Sequence, residues 1–274
     1  MKTIIVPTDF SVIAENAIRF ATDMAQHINA SLLLLHIYQI PVAIGEVPMP
    51  LVNVEELQKS SEEKLKALKN DIEKLTACKV KVYTEARLGD VVDELQNVCA
   101  TVQPFAVILG TKGSGALERM LFGSVTLSAM KHLDVPVMVI PPGARYKPVH
   151  KIGLACDFKN VVAATPEKEI KSIVKEFNAE LHVLNVDYHN QHFEANTPEE
   201  SFLLHNMLAE IKPEYHFIEK ENVEEGINEF AETNNIDFVI VIPKKHQFLE
   251  GLFHKSHSKE LAFHSHVPVM AIHE

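Results

Sequence analysis

The sequence predicts two tandem α/β domains, each built on a parallel sheet with helices on both faces. Short, continuous apolar segments alternate with longer amphipathic ones along all 274 residues. Continuous apolar segments are typical of strands buried on both faces of a parallel sheet, and amphipathic segments between them supply the crossover helices. The same succession of segments occurs again in the second half of the chain.

Local sequence signals predict the first elements of the chain. Residues 3–6 form a short apolar strand, and Ser11 can cap the helix that follows it. Apolar residues of this helix recur at spacings of three and four, the helical period. Residues 31–37 (SLLLLHI) have the pattern of a buried strand, and a loop rich in proline and glycine comes next.

A long helix is predicted at 54–75, where acidic and basic side chains alternate beside a modest stripe of leucine and isoleucine. This pattern favours a surface helix that lies on the sheet, and a groove for a protein partner is the alternative. The remaining elements of the first half are a strand at 80–84, a helix at 90–102, a strand at 105–109, a glycine-rich loop, a helix at 124–132 and a strand at 135–140.

The internal repeat is clearest at the end of each half. DVPVMVI at 134–140 recurs 132 residues later as HVPVMAI. Near the start, IIVPTDFS at 4–11 is similar to IGLACDFK, 148 residues later, so the second copy is shorter in its middle. The segment PPGARYKP is a proline- and glycine-rich linker between the copies. The predicted domains are therefore residues 1–142 and 148–274.

Helix-start signals are also found in the second copy. Thr197 and Glu200 have the spacing of a capping box, with Pro198 at the first helical position. Asn222 and Glu225 have the same spacing and predict a second helix start.

A glycine-rich loop follows the strand that ends near Leu109. Gly110, Gly113 and Gly123 are separated by two and nine residues, and Ser124 comes directly afterwards. Glycines allow positive φ and close approach to a ligand, and the helix start near Ser124 offers free amides to a phosphate. Open α/β sheets bind ligands at this carboxyl end of the strands. The spacing alone predicts an anion site, and an ordinary loop is the alternative.

With these residues the chain resembles a tandem member of the universal stress protein family over nearly its whole length. The family's nucleotide-binding signature is G-x2-G-x9-G-(S/T), which the loop matches without a gap, and Asp9 in the PTD segment also fits. The resemblance implies two Rossmann-like or flavodoxin-like, doubly wound domains with five mainly parallel strands each. It also implies a site for ATP or AMP, with or without Mg²⁺, formed by Pro7, Thr8, Asp9, His36, Ile37, Gly110, Thr111, Gly113, Gly123, Ser124, Val125 and Thr126.

The second copy departs from this signature at every glycine. The aligned residues are Ile242, Lys245 and Lys255, and only Ser256 keeps the counterpart of Ser124. We therefore expect the second domain not to bind ATP in the family manner, although Asp157 is retained opposite Asp9. A weaker anion site on its lysines is an alternative to a solvated basic loop.

Metal binding and catalysis receive little support from the sequence. The second-half histidines occur as pairs, such as His254 with His257, whereas zinc needs three or four converging ligands. No G-x-S-x-G elbow or Cys/His protease signature occurs. We therefore predict no metal site and no catalytic residue, with slow ATP hydrolysis at most.

Composition limits the partners and the compartment. The net charge is −11, which argues against nucleic acid or an anionic membrane as a partner, and the apolar content of 46% excludes wholesale disorder. Three scattered cysteines fit a reducing compartment. No signal peptide or membrane-span pattern is seen, so the expected location is cytoplasmic.

The implied function is that of a stress-response regulator whose first domain binds adenine nucleotide. A nucleotide-independent scaffold that acts through the second domain and a slow ATPase remain open alternatives. The resemblance further implies that the last strands of the two domains, at 135–140 and 267–272, pair antiparallel and make an intrachain pseudo-dimer. A homodimer of whole chains and an unidentified protein partner also remain open.

Overall fold

The computed structural model describes residues 1–40, 53–114, 119–121, 123–188, 195–243, 262–263 and 267–273. The first half contains β1 (Thr3–Pro7), α1 (Val12–His27), β2 (Ser31–Tyr38), α2 (Val54–Leu75), β3 (Val82–Leu88), α3 (Val91–Val102), β4 (Ala106–Gly110), β5 (Lys112–Ser114), β6 (Arg119–Leu121), α4 (Ser124–His132) and β7 (Val137–Ile140). The second contains β8 (Lys151–Ala155), α5 (Val161–Ala164), α6 (Glu167–Phe177), β9 (Glu180–Asp187), α7 (Thr197–Leu208), a 3-10 turn (Ala209–Ile211), β10 (Glu214–Glu219), α8 (Val223–Thr233), β11 (Phe238–Val241), β12 (Ala262–Phe263) and β13 (Val269–Ala271).

Ten of these strands form one continuous sheet in the order β10-β9-β8-β11-β13-β7-β4-β1-β2-β3. Five parallel strands come from each half, and the two sets meet where β13 pairs antiparallel with β7. Met270 lies opposite Met138 at this junction. The predicted pairing of the last strands within one chain is thereby confirmed.

Side chains from the two faces of the sheet enter two separate apolar layers. Ile4 and Val6 of β1 lie in one layer with α1 and α2, whereas Ile5 lies in the other with α3 and α4. Each layer continues through both halves of the chain, where α6 and α7 cover one face and α8 the other. This explains why the inner strands β1, β4, β7 and β11 are almost wholly apolar, and it confirms the predicted doubly wound, Rossmann-like fold.

Most helices begin where the sequence predicts. The Ser11 hydroxyl accepts the Ala14 amide at 3.3 Å and caps α1, and the Asn222 side chain accepts the Glu225 amide at 3.1 Å and caps α8. Helix α2 has the predicted bounds, and it buries Leu65 and Ile72 as a surface helix on the sheet.

The predicted capping box at Thr197 is wrong. Helix α7 already begins at Thr197, so its N-cap is Asn196, and the Asn196 side chain makes no capping hydrogen bond. Glu200 does not reach back along its own helix, because its carboxylate accepts the amide of Val161 in α5 at 2.8 Å. The third strand also differs from its predicted bounds at 80–84. It pairs with β2 along Val82–Leu88, although several of its residues are polar.

Within the described residues, no helix combines the length and the apolar character that crossing a membrane requires.

Candidate functional site

A tight turn at the carboxyl end of β1 places Asp9 beside the start of α1. The Thr8 amide donates to the carbonyl of Leu35 in β2 at 2.9 Å, and the Thr8 hydroxyl accepts the Phe10 amide at 3.0 Å. Asp9 Oδ1 accepts the Ser11 amide, also at 3.0 Å. Phe10 adopts a φ of 63°, in the left-handed region, which reverses the chain between strand and helix.

The Asp9 carboxyl titrates below its ordinary range. Burial acts to raise its pKa, but hydrogen bonds with Ser11 and the nearby His36 outweigh burial, so the pKa is lowered. Asp9 is therefore an ionised hydrogen-bond acceptor at neutral pH, and it lines a cavity next to the turn.

The cavity lies between the carboxyl ends of β1, β2 and β4 and the first turns of α1, α3 and α4. Its volume is about 270 Å³, close to the lower end of the roughly 300–1,000 Å³ that is typical of small-molecule sites. The lining residues are Pro7, Thr8, Asp9, Ser11, Ile13, Ala14, Leu35, Ile37, Val91, Leu109, Gly110, Gly123, Ser124, Val125 and Thr126.

Gly110 permits a close contact between β4 and α1. A Cβ placed on Gly110 would stand 2.6 Å from the carbonyl oxygen of Ile13 and 2.8 Å from its Cγ2. Positive φ is not the reason for glycine here. The described glycines with positive φ are Gly89 and Gly143.

Gly123 is the N-cap of α4 and faces open space. Its φ of −66° and ψ of 159° suit any residue, and a Cβ placed on it meets no atom within 4 Å. The first helical turn, Ser124 to Thr126, lines the cavity and contains no acidic side chain. Amides of a first turn lack intrahelical acceptors, so this helix start can donate hydrogen bonds to an anion.

Nine of the twelve predicted site residues line the cavity, and His36, Thr111 and Gly113 do not. The Nδ1 atom of His36 lies 2.7 Å from the Thr8 carbonyl oxygen, and its ring packs 4.5 Å from that of Phe10, so His36 supports the turn. Thr111 is buried, and its amide donates to the Ile140 carbonyl. Gly113 lies in β5, where it pairs with Met120 of β6.

Sequence reasoning missed six lining residues: Ser11, Ile13, Ala14, Leu35, Val91 and Leu109. Ser11 was singled out only as a helix cap. Leu35 and Leu109 could have been found from their positions at the carboxyl ends of β2 and β4, where open α/β sheets bind ligands.

The model of the universal stress protein family matches residues 1–141 and 149–273. The chain belongs to the universal stress protein family. A universal stress protein of Methanocaldococcus jannaschii is 28% identical over 142 residues, which cover 51% of this chain and 81% of the relative.

Solved structures extend the similarity of this universal stress protein over its full length. A universal stress protein from Archaeoglobus fulgidus has a TM-score of 0.74 and 19% identity, and the alignment covers 99% of this chain and 98% of that one. A functionally unknown protein from Pseudomonas aeruginosa has a TM-score of 0.56 and 13% identity, with 100% and 92% covered. At these identities the similarity shows the shared fold alone.

The second domain of this universal stress protein keeps the turn but not the glycine. Phe158 adopts a φ of 53°, and Asp157 Oδ1 accepts the Lys159 amide at 3.1 Å, as in the first domain. Ile242 stands in place of Gly110, and its side chain is buried in the apolar core. The second domain therefore lacks the glycine that allows the close contact between β4 and α1 in the first domain.

Several residues named from the sequence lie outside the described residues. These are Lys245, Lys255 and Ser256, and the histidines His254 and His257.

Proposed function

We propose that this universal stress protein binds ATP or AMP in its first domain and acts as a nucleotide-responsive regulator of the stress response. The observation that carries the proposal is the cavity in which Asp9, Gly110 and the start of α4 meet. Belonging to the family supports the general role, and the cavity supports the choice of the first domain.

The phosphates are assigned to the start of α4. No lysine or arginine occurs among the described residues that line the cavity, so amides near Gly123 and Ser124 would supply the binding. Such a site suits an acidic protein, because backbone dipoles rather than a basic surface attract the anion.

The nucleoside is assigned to the opposite side of the cavity. The ionised Asp9 carboxylate would repel phosphates, and it suits the hydroxyl and amino donors of adenosine. Leu35, Ile37 and Val91 add apolar surface there for a base. Asp9 is the only acidic side chain among the described lining residues, so Mg²⁺ would be held mainly through the nucleotide's own phosphates.

Calorimetric titration with ATP and with AMP tests the proposal in three proteins. Wild type should bind, and Asp9→Asn should bind about 10–100-fold more weakly, because a hydrogen bond to a charged group contributes about 1.5–3 kcal/mol. Asp157→Asn is the matched control, since it changes the equivalent turn of the second domain, and it should bind like wild type.

Two results would contradict the assignment. If wild type does not bind nucleotide, a nucleotide-independent scaffold is favoured. If Asp9→Asn and Asp157→Asn lower nucleotide affinity equally, the nucleotide cannot be assigned to the first domain. A phosphate-release assay on the same proteins distinguishes binding from slow ATP hydrolysis. We expect bound ATP to be released largely unchanged.

A further inference from the structure

Side chains from strands β9 and β10 of the second domain lie close together on one face of the sheet. Strand β10 forms one edge of the ten-stranded sheet, and Glu214 lies opposite His182 in the register between the two strands. Glu214 and His216 are two residues apart, and alternate residues of a strand share a face. The pairing thus brings two imidazoles and a carboxylate to one face of the sheet.

The three potential ligand atoms form a triangle of the size that a metal ion requires. His182 Nδ1 lies 3.0 Å from His216 Nε2 and 3.6 Å from Glu214 Oε2. His216 Nε2 lies 4.0 Å from the same Oε2. Tetrahedral Zn²⁺ with bonds of about 2.0–2.2 Å separates its ligand atoms by roughly 3.4 Å, which falls within the range of the triangle.

His182 is almost fully buried, and one of its ring nitrogens is left without a hydrogen bond within the described part of the chain. Its exposed fraction is 5%, and among the described residues its Nε2 atom has no hydrogen-bond partner. The carboxylate Oε2 of Glu180 lies 3.6 Å from that Nε2. This distance is longer than a hydrogen bond, and a small rotation of the exposed Glu180 side chain would let it accept the proton of the nitrogen that does not coordinate the metal.

The ring of His216 is partly buried and held by its neighbours. The ring of Phe230 packs 4.6 Å from that of His216 and limits its rotation. Lys151 is a nearby positive charge, and its ammonium lies 3.5 Å from the carbonyl oxygen of Asn234.

We propose that His182, Glu214 and His216 form a site for a divalent transition-metal ion, with Zn²⁺ as the probe. Two imidazoles and one carboxylate are a set that such ions accept, and three protein ligands leave a fourth position for water. The ion joins the edge strand β10 to β9 and so fastens that side of the sheet. The competing explanation is a hydrogen bond between two neutral imidazoles.

Titration of the full-length protein with Zn²⁺ tests the site, and Co²⁺ absorption reports its geometry. Wild type should bind one equivalent more than His216→Asn, with the visible bands of tetrahedral Co²⁺ present only in wild type. Glu180→Gln should weaken binding about tenfold, because it removes the orienting carboxylate. His132→Asn is the control, since it removes an exposed histidine elsewhere and should behave like wild type.

Glu214→Gln provides a second test in case His216→Asn does not fold. Glu214 is exposed, and glutamine has nearly the same volume, so this variant should fold like wild type. It should also lose the additional equivalent, with an unchanged circular dichroism spectrum. Binding equal to wild type in both His216→Asn and Glu214→Gln would overturn the proposal. So would absence of that equivalent in wild type, and either result would favour the imidazole hydrogen bond.

Discussion

The Cα of Gly110 lies so close to Ile13 that a Cβ added to it would stand 2.6 Å from the Ile13 carbonyl oxygen. Gly110→Ala should therefore lower the free energy of unfolding by about 1–3 kcal/mol, since the backbone of α1 must move away from β4. Urea denaturation of both proteins gives that difference. A loss below about 0.5 kcal/mol would mean that the helix adjusts without cost.

Gly123 is expected to respond in the opposite way. A side chain there meets no protein atom, so Gly123→Val should lower the free energy of unfolding by no more than about 1 kcal/mol, the cost of a valine at the N-cap. The same side chain would stand where the first-turn amides meet the phosphates, and we expect nucleotide affinity to fall at least about tenfold. Calorimetry and urea denaturation of the same preparation separate the two effects. Undiminished affinity would move the phosphates away from this helix start.

Glu224 predicts a pH-dependent stability. It is buried, its Oε1 has no partner among the described residues, and burial raises its pKa to about 7 from an ordinary value of 4.5. The unfolded chain loses this proton near pH 4.5 and the native protein only near pH 7. The contribution of Glu224 to the free energy of unfolding therefore falls between these values, by about 3 kcal/mol in total.

Glu224→Gln should remove that fall and stabilise the protein above pH 7. The measurement is urea denaturation at pH 5, 6, 7 and 8. Glu225→Gln is the matched control, because its carboxylate is the exposed neighbour in the same helix turn. An equal pH dependence in wild type and Glu224→Gln would assign the effect to other groups.

Asn222, which precedes α8, and Asn196, which precedes α7, should differ in their contribution to stability. Asn222 accepts the Glu225 amide, whereas the side chain of Asn196 makes no such bond to α7. Asn222→Ala should cost about 1 kcal/mol of unfolding free energy, and Asn196→Ala should cost less. Thermal unfolding of both variants makes the comparison, and the reverse order would show that α7 is capped in solution after all.

The fold could be predicted largely because its signals are local. Continuous apolar segments identify the inner strands, and a repeated order of segments identifies two domains. Strand β3 was placed too early because its later residues are polar and pair with β2 at the sheet edge. Glu200 was misassigned because its partner, the amide of Val161, is 39 residues away.

The candidate site was predictable only in part, because several of its residues are brought together by contacts between segments that are distant in sequence. Glycine spacing identified Gly110 and Gly123, but Ile13 and Leu35 look like any other core residues in sequence. The contact between His182 and His216 depends on the register of two strands, which residue spacing does not reveal.

Pairing of Met138 with Met270 across β7 and β13 makes one polypeptide serve as its own dimer. In an assembly of identical subunits, a mutation at the contact appears on both sides, and dissociation depends on concentration. In this chain the two contacting strands have separate sequences, and they stay together on dilution because they belong to one polypeptide. The second half can therefore have Ile242 where the first half has Gly110, and the contact between the two halves is unaffected.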